Sequence, residues 1–161
     1  MFSKKLLTPN QALEKVKYFC AYQERSHKEV TEKLYGYGLY SKDVDQIIAV
    51  LIEENYLNEE RFAVAFAGGK FRVKQWGRQK IKYELKQRGV SSFCINLAIK
   101  EIEETDYIST LYSLARKKWE SLIKEQFYSR QAKTSSYLIT KGYEQHLIIE
   151  VIEKLKNEKS E

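Results

Sequence analysis

Eight basic side chains, Lys70, Arg72, Lys74, Arg78, Lys80, Lys82, Lys86 and Arg88, fall within nineteen residues whose only acid is Glu84. An even spread of the chain's 28 bases over its 161 residues would place about three there. Glutamate and lysine usually mix on a solvated helix face. Their segregation therefore points to a docking surface for phosphates or for an acidic protein groove. Trp76 sits inside the segment, and an indole among bases can stack a nucleobase or fill a gap between helices. Arg25 near the start and the run Arg116-Lys117-Lys118 are supporting candidates for the same surface.

Catalytic chemistry finds few residues to work with. His27 falls in a capping turn and His146 at a helix start, positions that suit surface or capping roles better than a general base. Gly36-Tyr37-Gly38 is followed by no lysine-threonine pair, so no phosphate-cradling loop is formed. Cys20 and Cys94 lie far apart in apolar-periodic stretches and read as reduced, buried thiols. Neither has a second thiol or a histidine at zinc-ligand spacing. The carboxylate pairs Glu53-Glu54, Glu59-Glu60 and Glu103-Glu104 recur where helices end and begin, and nothing arranges them as metal ligands. No catalytic residue, metal or cofactor is expected.

The elements that must position the basic segment follow from an internal repeat. Val44, Ile47, Ile48 and Leu51 make one apolar helical stripe. The pattern returns at Ile95, Ala98, Ile99 and Ile102, and again at Ile148, Val151, Ile152 and Leu155. Each stripe begins six residues after a glycine (Gly38, Gly89, Gly142), and each glycine follows a leucine by four (Leu34, Leu85, Leu138). Those glycines mark helix ends where left-handed dihedrals are needed. Upstream of them the spacing predicts short helices over 26–37, 78–88 and 129–141, the first opened by the capping box Ser26-His27-Lys28-Glu29. Ser41 and Ser91 or Ser92 are expected to cap the helices that follow.

A longer helix opens each unit. Thr8-Pro9-Asn10-Gln11 begins one striped by Leu13, Val16 and Cys20. Asn58 caps the second, with Phe62, Ala65 and Phe66 inward, and Thr105 or Asp106 caps the third, with Ile108, Leu111, Tyr112, Ala115 and Trp119 inward. Gly68-Gly69 permits close helix contact or loosens the end of its helix.

The expected fold is all-α: three tandem three-helix, helix-turn-helix-like repeats over 1–57, 58–105 and 106–161, packed into an elongated, curved array. The first few residues and the tail after Lys156 are expected to be mobile. One proline and seven glycines disfavour a turn-dense β fold, and no apolar run approaches the roughly 18 residues of a membrane span. No membrane partner is expected. The start of the sequence has no extended hydrophobic region of the secretory kind, so a cytoplasmic location is expected. Residues 1–57 carry no net charge, whereas 58–106 and 107–161 each carry +3, which favours a polyanionic partner or an assembly that holds one.

Several stretches resemble the bacterial RecX proteins, regulators of the recombinase RecA. They are Arg25-Ser26 with Glu29, Leu34 and Gly38, then Tyr56-Leu57-Asn58-Glu59-Glu60-Arg61-Phe62-Ala63-Val64-Ala65-Phe66, then Gly77-Arg78-Gln79-Lys80-Ile81 with Glu84-Leu85 and Gly89. Gly68-Gly69 and Thr134-Ser135-Ser136 depart from that family's usual residues. The resemblance implies a non-enzymatic monomer that lies in the groove of the RecA–DNA filament and blocks its extension, ATP hydrolysis and strand exchange, with weak DNA binding of its own. A direct DNA-binding helix-turn-helix regulator is the alternative, because a short helix, a glycine turn and a following helix also suit duplex docking.

Overall fold

The computed structural model describes residues 6–158 and is helical throughout them, with no strand among the described residues. In chain order the elements are α1 (Pro9–Tyr22), α2 (His27–Gly36), α3 (Ser41–Glu53), α4 (Glu59–Gly69), a π-helical stretch (Lys70–Lys74), α5 (Arg78–Gln87), α6 (Ser92–Lys100), α7 (Glu104–Ser121), α8 (Phe127–Lys141) and α9 (Gln145–Glu158).

Local sequence explains most of the boundaries. Thr8 and Ser26 close full capping boxes with Gln11 and Glu29. Asn58 accepts the Arg61 amide at 2.8 Å, and Ser91 accepts that of Cys94 at 3.3 Å. Ser41, Thr105 and Asp106 do not cap: Tyr40 and Glu103 occupy the cap positions without a side-chain bond, which places those three residues inside the first turn. The repeated glycines take φ values of 89° (Gly38), 76° (Gly89) and 103° (Gly142), as helix ends of this kind require. The expected mobile first residues and, of the tail, residues 159–161 lie outside the described residues; Asn157 and Glu158 are helical. There α9 continues to Glu158, whose carboxylate is held by Arg116 and Tyr112.

The chain forms two compact units: Met1–Phe66 with Leu85–Leu97, and Ala67–Glu84 with Ala98–Glu161. The three short helices α4, α5 and α6 are each divided between them. In the first unit α1, α2 and α3 pack around Ala12, Val16, Cys20, Val30, Leu34, Val44, Ile47 and Leu51. Arg61 fastens α4 to this core: its guanidinium bonds the Glu24 carboxylate and both the side chain and carbonyl of Asn55, a residue held at φ 65°.

In the second unit α7, α8 and α9 form a bundle around Leu111, Ala115, Trp119, Leu138, Ile148, Val151, Ile152 and Leu155. Two inward stripes differ from expectation. On α4, Phe62, Ala63 and Ala67 are buried while Ala65 is exposed. On α7, Tyr107 and Leu114 take inward positions, and Ile108 and Tyr112 stand on the flank. A fully buried tyrosine is possible because its hydroxyl is bonded.

Candidate interaction surface

The basic segment starts where α4 loses its register. Gly68 and Gly69 end α4, and the next five residues widen into the π-helical stretch. The Arg72 guanidinium folds back over Gly68 so closely that a Cβ there would lie 2.7 Å from its nitrogen. A left-handed Gln75 (φ 58°) stops the stretch and donates its amide to the Phe71 carbonyl. The inserted turn re-aims the chain so that Trp76 and Gly77 lead into α5.

The start of α5 is docked on the end of α8. The Gly77 amide donates to the Lys141 carbonyl (2.8 Å) and the Gln79 amide to the Gly142 carbonyl (2.9 Å). Orphan donors of one helix thereby satisfy orphan acceptors of another. The two backbones approach so closely that a Cβ on Gly77 would lie 2.3–2.5 Å from atoms of Gly142 and Tyr143. Tyr143 completes the seam by donating its hydroxyl to the Gln75 carbonyl at 2.9 Å.

Arg78 is the hub of this seam. Its guanidinium stacks 3.7 Å from the centre of the Tyr107 ring and pairs with Glu144 (2.9 Å) and with Glu104. Its backbone amide donates to the Tyr107 hydroxyl (2.9 Å), which in turn donates to Glu144. Burial pushes the Tyr107 phenol far above its ordinary range, and the Glu144 bond adds to the shift. Burial disfavours the Arg78 charge, but hydrogen bonds to Glu144 and Glu104 more than offset it and raise the guanidinium's pKa.

Several expected contact residues are likewise engaged within the fold. Arg25 stacks on Phe19 (3.7 Å), donates Nε to the Phe19 carbonyl (3.0 Å) and meets Glu29 at 3.8 Å. Arg116 grips Glu158 with both terminal nitrogens, at 2.8 and 3.0 Å. Arg88 lies over the Phe66 ring at 4.6 Å. Their planar guanidiniums stack and fork, which lysine cannot reproduce.

The lysines are left facing outward, but not on one ridge. With Ile81 and Leu85 inward, Lys82 projects about 160° around the α5 axis from Lys80. Lys80 and Lys70 both lie over the Trp76 indole, 4.6 and 5.1 Å from its centre. Lys74 is exposed beside them, and Lys141 donates to the Lys74 carbonyl at 3.1 Å. Lys70, Lys74, Trp76, Lys80 and Lys141 thus make one cationic patch with an aromatic centre on the second unit. Nothing in the sequence around Lys141 marks it for this surface; α8 delivers it from 67 residues away.

Arg72 borders a depression of about 280 Å³ with Phe71, Gln75, Asp106, Ser109 and Thr110. Lys118 lies over Tyr137 (5.1 Å) in a groove of about 440 Å³ with Ala132, Lys133, Ser136 and Thr140, while Lys117 is exposed. Lys86 and Arg88 belong to the first unit. His146 is exposed on the first turn of α9, and His27 is half-buried, with an Nε2 that has no hydrogen-bond partner.

Comparison with known proteins places this geometry in context. Residues 58–99 match the family model described as RecX, second three-helix domain, and residues 104–152 match RecX, third three-helix domain; together they cover more than half of the chain. A "Regulatory protein RecX" of Bacillus cytotoxicus is 28% identical over 143 residues, covering 89% of this chain and 53% of the relative. One of Clostridium perfringens is 31% identical over 135 residues, covering 83% of this chain and 63% of the relative. The chain therefore spans about half to under two thirds of the length of these relatives. The crystal structure of RecX from Lactobacillus salivarius superposes with a TM-score of 0.83 at 22% identity, over 92% of this chain and 96% of that one. A second RecX crystal structure gives 0.82 at 18% identity, over 90% and 71%. At those identities the structures speak for the fold, a helical repeat array.

Proposed function

The chain belongs to the RecX family, and from that premise we propose that it regulates RecA by binding in the groove of the RecA–DNA filament. There it blocks filament extension, ATP hydrolysis and strand exchange. It acts by occupancy rather than by covalent chemistry, as a monomer in the cytoplasm, built of three repeats divided at residues 57 and 105. The observation that carries the reading, beside family membership, is the pair of lysines over the Trp76 indole, with Lys74 and Lys141 at its edge. Such a patch meets acidic side chains or the phosphates and bases of a single strand without reading duplex sequence. Arg72, Lys82, Lys117 and Lys118 extend the cationic surface. Arg25, Arg78 and Arg116 contribute by holding the fold.

The test is a titration of the protein against preformed RecA filaments on single-stranded DNA, following ATP hydrolysis alongside binding to bare DNA. ATP hydrolysis falls in step with filament occupancy, and bare DNA is bound weakly, with steep salt dependence. The charge reversals Lys74→Glu and Lys80→Glu weaken both inhibition and filament binding. Tight, sequence-dependent duplex binding in the absence of RecA, with hydrolysis untouched, overturns the reading in favour of a helix-turn-helix DNA regulator.

A further inference from the structure

Arg130 on α8 is only 4% exposed. Its guanidinium stacks 3.9 Å from the centre of the Trp119 ring, and Nε donates to the Trp119 carbonyl at 2.8 Å. Arg25 is built the same way in the first unit, over the Phe19 ring and onto the Phe19 carbonyl. Each arginine thereby staples the last turns of the long helix before it, α1 or α7, and in the second unit it shares the Trp119 carbonyl with the Leu122 amide.

The two staples differ in one component. The Arg25 guanidinium meets the Glu29 carboxylate four residues on. Four residues after Arg130 stands Thr134, buried, its hydroxyl turned back onto the Arg130 carbonyl. Among the described residues no carboxylate comes within ion-pair distance of Arg130, and Glu120 acts on it only through space. A guanidinium cannot shed its charge by losing a proton, and a buried charge without an anion is a standing cost. Among the described residues its two terminal nitrogens have no protein acceptor, yet they are not wholly enclosed: the fully buried polar side-chain atom without a partner there is His27 Nε2. They therefore keep a narrow opening to solvent. Arg130 stands on α8 one and two turns before Lys133 and Tyr137, which line the groove holding Lys118.

We propose that Arg130 is an anchor for one carboxylate side chain of a partner protein, filling the place that Glu29 fills beside Arg25. A carboxylate is favoured over a phosphate because the first unit displays the completed arrangement with a carboxylate in it. The identity of the partner as RecA rests on the function proposed above; the anchor itself does not.

Three variants and two kinds of measurement test it. Arg130→Met keeps an apolar chain over Trp119 and removes the charge. Arg130→Lys keeps a charge and removes the fork. Gln126→Glu, at the exposed cap one turn earlier, offers the guanidinium an internal carboxylate. Far-UV circular dichroism reports folding, so Gln126→Glu keeps the test decisive if the Met variant fails to fold. Dissociation constants for RecA–single-stranded DNA filaments rise roughly 30-fold for Arg130→Met and rise as well for Arg130→Lys and Gln126→Glu, the last with a raised melting temperature. The partner-independent arm uses poly-L-glutamate and polyphosphate as probes at matched ionic strength. Poly-L-glutamate raises the melting temperature of the unaltered protein more than polyphosphate does, and this excess vanishes in Arg130→Met and Gln126→Glu. Folded variants that respond to poly-L-glutamate like the unaltered protein overturn the anchor. An equal loss on bare single-stranded DNA, or an excess for polyphosphate, overturns it in favour of a phosphate ligand. Failure of the unaltered protein to bind filaments, with the poly-L-glutamate excess intact, sinks the RecA reading and leaves the anchor standing.

Discussion

Replacing Arg78 by methionine tests whether the centre of the basic segment serves the fold or its partner. The methionine keeps an unbranched chain against Tyr107 and removes the guanidinium from Glu144 and Glu104. The two acids do not suffer equally. The Glu104 side chain is 69% exposed and returns to water at little cost. That of Glu144 is 13% exposed and is left as a buried, uncompensated charge. Breaking such a pair from one side costs ~3 kcal/mol, including the stacking lost over Tyr107. For a chain of this size each kcal/mol moves the thermal midpoint by ~2–4 °C, so a fall of about 6–12 °C is expected. The assay is thermal unfolding followed by circular dichroism at pH 7, with Lys74→Glu, an exposed neighbour, as a control that shifts stability by less than ~0.5 kcal/mol. Adding Glu144→Gln to the Arg78 variant recovers part of the loss, because the orphaned charge is gone. A midpoint for Arg78→Met within about 2 °C of the unaltered protein would refute the reasoning and return Arg78 to the contact surface.

Two further outcomes follow from the same geometry. Gly77→Ala drives a Cβ into the Gly142–Tyr143 backbone and breaks the docking of α5 on α8, costing ~2 kcal/mol or more. Gly89→Ala meets open space and pays only for its φ of 76°, ~1 kcal/mol; urea midpoints in the reverse order would contradict the seam. Hydrogen bonds from Arg116 and Tyr112 hold the Glu158 carboxyl below its ordinary value of 4.5. Its contribution is therefore present in full above that value and is lost as pH falls through the depressed folded one. Amide exchange in the last turn of α9 should accelerate over that acid window, and Glu158→Gln should abolish the pH dependence.

Much of the fold was legible because it is local. The capping boxes at Thr8 and Ser26, the glycines at three helix ends and the stripes Val44–Leu51 and Ile148–Leu155 are set by residues within one or two turns of each other. Apart from the cap positions Ser41, Thr105 and Asp106, the differences fall where locality fails. Tyr107 is absent from the expected α7 stripe, and its burial depends on Arg78 and Glu144, 29 and 37 residues away, which satisfy its hydroxyl. On α4 the buried face Phe62, Ala63 and Ala67 keeps ordinary helical spacing, but in the apolar run 62–67 packing against other elements decides which alanine turns inward.

The candidate site was half legible, for the same reason. Composition alone located an unusually basic segment around a tryptophan, and no fold could have dispersed that charge along the chain. Which of its cations are available was decided by tertiary structure. An arginine one turn from a lysine looks equivalent until acids and rings arrive from distant helices. Arg78 is then withdrawn into an ion-pair seam, Lys70 and Lys80 gather over Trp76, and Lys141 joins them from α8. Periodicity encodes which face of a helix is apolar, because that depends on near neighbours. Whether a charge is spent inside the protein depends on the partners that packing brings to it, and those lie tens of residues away.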